Sequence, residues 1–345
     1  MPIRVMIVDD SNFMRKAVSK LISSEPGFEV VGLISNGEEA LRSIPVLKPD
    51  VVTLDVEMEG MDGLTTLRRI METNPTPVIM FSAYTKRGAD ITLKSLQEGA
   101  VDFIEKPSGS LSIDLGAVRD ELIKKIKVAS TVRHRRAIVP SSSGRIQGRE
   151  LRLPNPERSV IAIGSSTGGV QALQAVIPKL PKSLPLPVLI VQHMPPMFTK
   201  SLAESLDSHS MIRVKEASVG DILAPGNAYI APGGLHMTVR RGSGGAYIHL
   251  DKNPEGELLR PSVDVMFRSV AEVYGADTVG VILTGMGNDG TAGLKVLKTK
   301  GAKVIAQDEA TCVVFGMPRM AVEAGVVDIV LPVHEIAYQI EKMVM

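Results

Sequence analysis

The sequence predicts an α/β protein of two domains, each built on a doubly wound parallel sheet. Three observations carry this. The chain has 345 residues, about twice a typical single domain. Apolar strand-like runs alternate with amphipathic helical stretches through both halves. Charge divides the chain in three: residues 1–123 carry 13 basic and 19 acidic side chains, residues 124–158 carry 10 basic and 2 acidic, and the remainder is nearly neutral. The middle stretch contains Val139-Pro-Ser-Ser-Ser-Gly144 and Leu153-Pro-Asn-Pro156 without a sustained apolar period, so it reads as a basic linker. Its start, around Leu122-Ile-Lys-Lys-Ile126, can still finish a helix. The expected organisation is a first domain over 1–123, a linker over 124–158 and a second domain over 159–345.

Composition excludes several function classes. Hydrophobic residues make up 44% and charged residues 22%, the profile of a folded chain. Aromatics at 3%, with no Trp, leave few platforms for stacking bases. A net charge of +1 provides no global field toward nucleic acid or an anionic membrane. The longest apolar runs, such as Leu186 to Val191 and Val279 to Leu283, are far shorter than the roughly 20 residues that span a bilayer. A single Cys312 forms no intramolecular disulfide, and Met-Pro-Ile-Arg-Val enters a strand pattern directly, so a cytoplasmic protein without membrane insertion is expected.

In the first domain, strands are predicted at Ile3 to Val8, Val30 to Leu33, Val51 to Leu54, Val78 to Phe81 and Val101 to Ile104. Helical patterns such as Phe13 to Ile22, Leu64 to Met71 and Ile91 to Gln97 lie between them, giving β-α repeated five times. In the second domain, strands are predicted at Val160 to Ile163, Val188 to Val191, Tyr229 to Ala231, Val279 to Leu283 and Val304 to Ala306, with a helix over Val170 to Ile177. The stretch Thr238 to Leu250, with Gly-Ser-Gly-Gly at its centre, reads as an inserted β-hairpin.

Open parallel sheets bind ligands at the carboxyl ends of their strands. There the first domain places Asp9 and Asp10 after its first strand and Asp55 at its third, a hard oxygen set suited to Mg²⁺, with one Asp able to accept a phosphoryl group. Ser82 and Lys106 close the fourth and fifth strands, where a hydroxyl and an ammonium can meet phosphoryl oxygens. Any one of these alone reads as an ordinary turn residue; five at matching strand ends do not. With Lys106-Pro107, the pattern resembles a response-regulator receiver, a five-stranded flavodoxin-like domain. The resemblance implies Asp55 as phosphoacceptor, Mg²⁺ held by Asp10 and Asp55 with Asp9 assisting, and Ser82 and Phe103 as switch residues beside Lys106.

In the second domain, Gly164-Ser-Ser-Thr-Gly168 fits G-x-S-x-G between a strand and a helix and selects Ser166 over Ser165 as an exposed nucleophile, with the Thr167 N–H able to stabilise an oxyanion. The plainer alternative is a turn that cradles a phosphate. A serine needs a base, and His193 follows the strand Val188 to Val191 at the same sheet edge; His236 is the competing histidine. Asp289 directly follows the strand Val279 to Leu283, while Asp264 and Asp308 remain open as third members.

The stretches Ile163-Gly-Ser-Ser-Thr-Gly-Gly169, Val191-Gln-His-Met-Pro195, Tyr229-Ile-Ala-Pro-Gly-Gly234, Arg260-Pro-Ser-Val-Asp264, Leu283-Thr-Gly-Met-Gly-Asn-Asp-Gly290 and Phe315-Gly-Met-Pro318 resemble the protein-glutamate methylesterases of bacterial chemotaxis. The resemblance implies a Ser166, His193, Asp289 triad with Met286 as a second backbone oxyanion donor. It also implies demethylation of glutamyl methyl esters and deamidation of glutamines on chemoreceptors, a chemotaxis histidine kinase as phosphodonor, and receptor arrays as the site of action. The unphosphorylated receiver is expected to restrain catalysis. Ser165 departs from the family, which usually has Ala there. A nucleic-acid-binding output domain finds no Walker A and no G-x-G-x-x-G to support it, and an unrelated esterase fused to a receiver is the remaining rival.

Overall fold

The structure, a computed structural model, describes residues 1–83, 85–106, 115–132, 153, 155, 158–253 and 259–344. It divides into two compact units, Met1–Val139 and Pro140–Met345.

In the first unit the strands β1 (Ile3–Val8), β2 (Phe28–Ile34), β3 (Val51–Asp55), β4 (Val78–Ser82) and β5 (Asp102–Glu105) form one parallel sheet in the order β2-β1-β3-β4-β5. The helices are α1 (Asn12–Ser23), α2 (Gly37–Leu47), α3 (Gly63–Thr73), α4 (Lys86–Gln97) and α5 (Leu115–Ala129). Strands β3 and β4 are buried at every residue, as expected of a sheet covered on both faces. Side-chain caps start the helices: Ser11, Asn36, Asp62 and Thr85 accept N–H bonds in the first turns of α1 to α4. Helix α5 runs through Ala129 and so takes in the start of the basic segment. Residues 133–152 of that segment lie outside the described residues, as does Pro107.

The second unit has seven parallel strands in the order β14-β13-β12-β6-β7-β9-β8: β6 (Val160–Ser165), β7 (Val188–Gln192), β8 (Arg213–Glu216), β9 (Asn227–Ile230), β12 (Thr278–Ile282), β13 (Lys303–Gln307) and β14 (Ile329–Leu331). The two short edge strands, β8 and β14, extend the five expected from sequence. The hairpin is present as β10 (His236–Gly242) and β11 (Gly245–Asp251), antiparallel with Gly242 opposite Gly245. Among the described residues its α-helices are α6 (Gly169–Val176), α7 (Phe198–His209), α8 (Val263–Val273), α9 (Thr291–Thr299), α10 (Met317–Glu323) and α11 (Val333–Val344). Leu153 is buried and its N–H meets the Met343 carbonyl at 3.4 Å, so the end of the basic segment is docked on this unit.

Each sheet has a switch point beside its first strand, between β1 and β3 in one unit and between β6 and β12 in the other. Those switch points are where an open α/β sheet leaves a crevice for ligands. Among the described residues no helix is long and apolar enough to cross a membrane.

Candidate active site

The crevice of the first unit holds the expected carboxylates. Ligand oxygens of Asp9, Asp10 and Asp55 lie within 4.8 Å of one another, with Asp9 and Asp55 buried and Asp10 exposed. Lys106 reaches in from the end of β5, its Nζ 2.7 Å from Asp55 Oδ2 and 3.1 Å from Asp9 Oδ2. Burial pushes the Asp55 carboxyl up to about 6 despite Lys106, which marks a carboxylate short of positive charge. Burial also opposes the Lys106 ammonium, but Asp55 and Asp9 outweigh it and hold the group above the usual lysine value. Three hard oxygen donors with uncompensated charge fit a Mg²⁺ ion. Ser82 is fully buried, its hydroxyl donating to the Ala83 carbonyl at 3.3 Å. Phe103 is buried too, with Lys125 Nζ 5.2 Å from its ring centre and 2.6 Å from its carbonyl oxygen.

In the second unit β6 continues to Ser165, two residues beyond the predicted end, and its last pair with β7 is Ser165 opposite Gln192. Ser166 and His193 are therefore the next residues off two adjacent parallel strands, and the His193 N–H still meets the Ser165 carbonyl at 3.1 Å. Ser165, the last residue of β6, is fully buried with its hydroxyl donating to Gln192 Oε1, while Ser166 is half-buried where the chain leaves the sheet.

Asp289 reaches His193 from beyond β12, its Oδ2 2.8 Å from the ring Nε2. Its carboxylate also sits at the start of α8, accepting the N–H groups of Val263 at 2.7 Å and Asp264 at 2.9 Å, the Ser262 hydroxyl at 3.0 Å and its neighbour Gly290 N–H at 3.0 Å. Burial opposes this charge, but His193 and the helix N–H groups more than offset it, so the carboxyl is held below its usual value. An ionised Asp289 requires the proton on Nε2, which leaves Nδ1 as the unprotonated ring nitrogen of the neutral imidazole.

The other expected candidates are placed elsewhere. Asp264 accepts the Gly293 N–H at 2.6 Å near the start of α9. Asp308 accepts the Thr311 N–H at 2.9 Å. His236 is fully buried and accepts the Ser262 N–H at 3.3 Å, behind the Asp289 cluster.

Backbone donors follow from peptide geometry. The Ser166 N–H is taken by the Thr284 carbonyl at 3.1 Å, so it cannot serve an oxyanion. The Ser166 carbonyl accepts from Gly169 N–H at 2.8 Å and Gln192 Nε2 at 2.9 Å; the Gly285 carbonyl accepts from Gly316 N–H at 3.1 Å and Met317 N–H at 2.9 Å. In a trans peptide the N–H points away from the carbonyl, so these bonds set the directions of the Thr167 and Met286 N–H groups. Gly285 must lack a side chain, since a Cβ there would lie 2.8 Å from Ser166 Cβ and run into Met317 Sδ. Sequence reasoning singled out neither Gln192, Ser262 nor Gly285. A polar residue closing an apolar strand just before the histidine was the available signal for the first of them.

Comparison with known proteins agrees with this architecture. Residues 161–340 match the CheB methylesterase family model, and residues 5–114 match the response regulator receiver domain. A protein-glutamate methylesterase/protein-glutamine glutaminase of Geobacillus kaustophilus is 48% identical over 348 residues, covering 99% of both chains. The protein of the same name from Thermotoga maritima is 45% identical over 342 residues, covering 99% of this chain and 98% of its own. The crystal structure of the Thermotoga maritima CheB methylesterase catalytic domain is 49% identical with a TM-score of 0.52, covering 53% of this chain and 97% of that one. The chain belongs to the CheB methylesterase family, with a response regulator receiver domain as its N-terminal part.

Proposed function

We propose that the protein is a protein-glutamate methylesterase and protein-glutamine glutaminase of bacterial chemotaxis, controlled by phosphorylation of its receiver. The His193–Asp289 pair beside Ser166 at adjacent strand ends is the observation that carries this reading within its family. Ser166 Oγ attacks the ester carbonyl while His193 Nδ1 takes its proton; the bond to methoxide breaks and that proton leaves with methanol. Water then attacks the acyl-serine, His193 again accepts the proton and returns it to Ser166, and the glutamate carboxylate is released. With glutamine the leaving group is ammonia. The Thr167 and Met286 N–H groups meet the oxyanion in both steps.

In the receiver, Asp55 accepts the phosphoryl group, and Ser82, Phe103 and Lys106 respond to it. Asp9, Asp10 and Asp55 hold Mg²⁺, which when bound supplies positive charge to phosphoryl oxygens. The substrates are methyl-accepting chemoreceptors, the phosphodonor is the chemotaxis histidine kinase, and the protein works in the cytoplasm at receptor arrays through protein contacts. Domain bounds of 1–123 and 159–345 around a basic linker belong to the same proposal.

Methanol release from methylated receptor tests the reading. Ser166→Ala should lower kcat by orders of magnitude, and Ser165→Ala by a small factor. An active Ser166→Ala protein, or equal losses from both substitutions, would remove the assignment.

A further inference from the structure

Gln192 closes β7 with its side chain only 3% exposed, and that side chain binds the main chain of both catalytic strand ends. Its Nε2 donates to the carbonyl oxygen of Ser166 at 2.9 Å and to that of His193 at 3.3 Å. Its Oε1 accepts the Ser165 hydroxyl at 2.7 Å. The orientation of this amide is fixed by chemistry. Two carbonyl oxygens can only accept, so the nitrogen faces them and the oxygen faces Ser165. Gly169 makes room for the arrangement, since a Cβ there would run into Gln192 Oε1 and lie 2.8 Å from Ser165 Cβ.

The Ser166 carbonyl belongs to the peptide whose other end is the Thr167 N–H. One of its two bonds is local, from Gly169 N–H in the same turn. The other crosses from β7, and the same nitrogen also holds the carbonyl of the residue that bears the imidazole. We propose that Gln192 is a positioning residue for hydrolysis: its amide, oriented by the Ser165 hydroxyl, aims the Thr167 N–H at the oxyanion and keeps His193 in place beside Ser166. This rests on the reading of Ser166 as nucleophile and Thr167 as oxyanion donor. Ser165 then acts by orienting Gln192 and takes no part in the chemistry itself.

The test uses the full-length protein with Gln192→Glu, Gln192→Met and Ser165→Ala, kept in one phosphorylation state throughout. Gln192→Glu preserves size and the acceptor for Ser165 but turns oxygen toward two carbonyls; Gln192→Met keeps bulk without a donor. Both should lower kcat about 10- to 100-fold with KM within about twofold, the pattern of a displaced transition-state contact. Ser165→Ala, which retains the donor, should lower kcat by about two- to fivefold. A second readout follows the oxyanion itself: the rate ratio of an oxo ester to its thiono counterpart, which depends on how well N–H donors fit the developing charge, should fall in step with kcat. Parental kcat and parental rate ratio in folded Gln192 variants would overturn the proposal, and so would a lowered kcat with an unchanged ratio, which indicates a structural role alone. Should the Gln192 variants not fold, the Ser165→Ala ratio decides, because that substitution removes one buried hydroxyl and leaves the donor amide in place. Fluorophosphonate labelling of the parent separates the two levels of reading. Label at Ser166 leaves the nucleophile intact whatever Gln192 does, whereas label elsewhere overturns the nucleophile and this inference with it.

Discussion

Replacing Asp289 by Asn tests the site most sharply, because the carboxylate's five donors make opposite demands on an amide. Oδ2 accepts from His193 Nε2 and Val263 N–H, and Oδ1 accepts from Ser262 Oγ, Asp264 N–H and Gly290 N–H. An Asn NH₂ on either side meets at least one N–H donor head-on. Losing at least two charge-assisted bonds, each worth about 1.5–3 kcal/mol, should destabilise the catalytic unit by about 3–5 kcal/mol. The catalytic effect is separate. An amide nitrogen facing Nε2 favours the tautomer protonated on Nδ1, the nitrogen required as base, so kcat should fall by about 10⁴. Methanol release measures kcat, calorimetry the stability, and nitrogen NMR of the labelled imidazole reports which ring nitrogen carries the proton. The pH dependence has a definite sign. A carboxyl held below its unfolded value of 3.8 contributes stability that is complete above that pH and is lost as pH falls through the lower folded value. The parent should therefore shed this contribution below about pH 4, and the Asn variant should have none to shed. A folded variant with kcat within tenfold of the parent and Nε2 still protonated would refute the reasoning.

The receiver and the oxyanion loop give further expected outcomes. Asp55→Asn should abolish labelling from an acyl-phosphate donor; undiminished labelling would sink the phosphoacceptor assignment. Without Mg²⁺ the same substitution should stabilise the receiver at pH 7.5 by about 1–3 kcal/mol, since a carboxyl raised from 3.8 to about 6 is ionised there at a cost that fades as pH falls through 6. Gly285→Ala should cost about 1–3 kcal/mol and at least about tenfold in kcat, because the added methyl can be accommodated only by moving Met317 or Ser166; a crystal of an active variant with Ser166 unmoved would contradict this. A fragment beginning near Gly144 should release methanol faster than the unphosphorylated full-length protein, and phosphorylation should raise the latter. An equally slow, folded fragment would exclude simple restraint by the receiver.

Local pattern determined what depends on neighbouring residues. The apolar runs at Ile3–Val8 and Val51–Leu54 announce strands because fully covered parallel strands need continuous apolar sequence, and Asp9, Asp10 and Asp55 are strand-end residues by position alone. The elbow register likewise picked Ser166. Helix α2, which carries Pro45 inside it, and the short edge strands β8 and β14 were not singled out, because packing overrides weak local preference there. Only the tertiary structure decided that Asp289, with Asp264 and Asp308 as alternatives, faces His193, because that contact spans 96 residues and depends on strand order at the switch point. It also decided where Ser165 and Gln192 meet. The two residues by which β6 outruns its expected end carry Ser165 into the sheet, and the register of β6 on β7 brings Gln192 against it. A hydrogen bond between residues on different strands is a property of register, which sequence periodicity constrains only to which face a side chain takes.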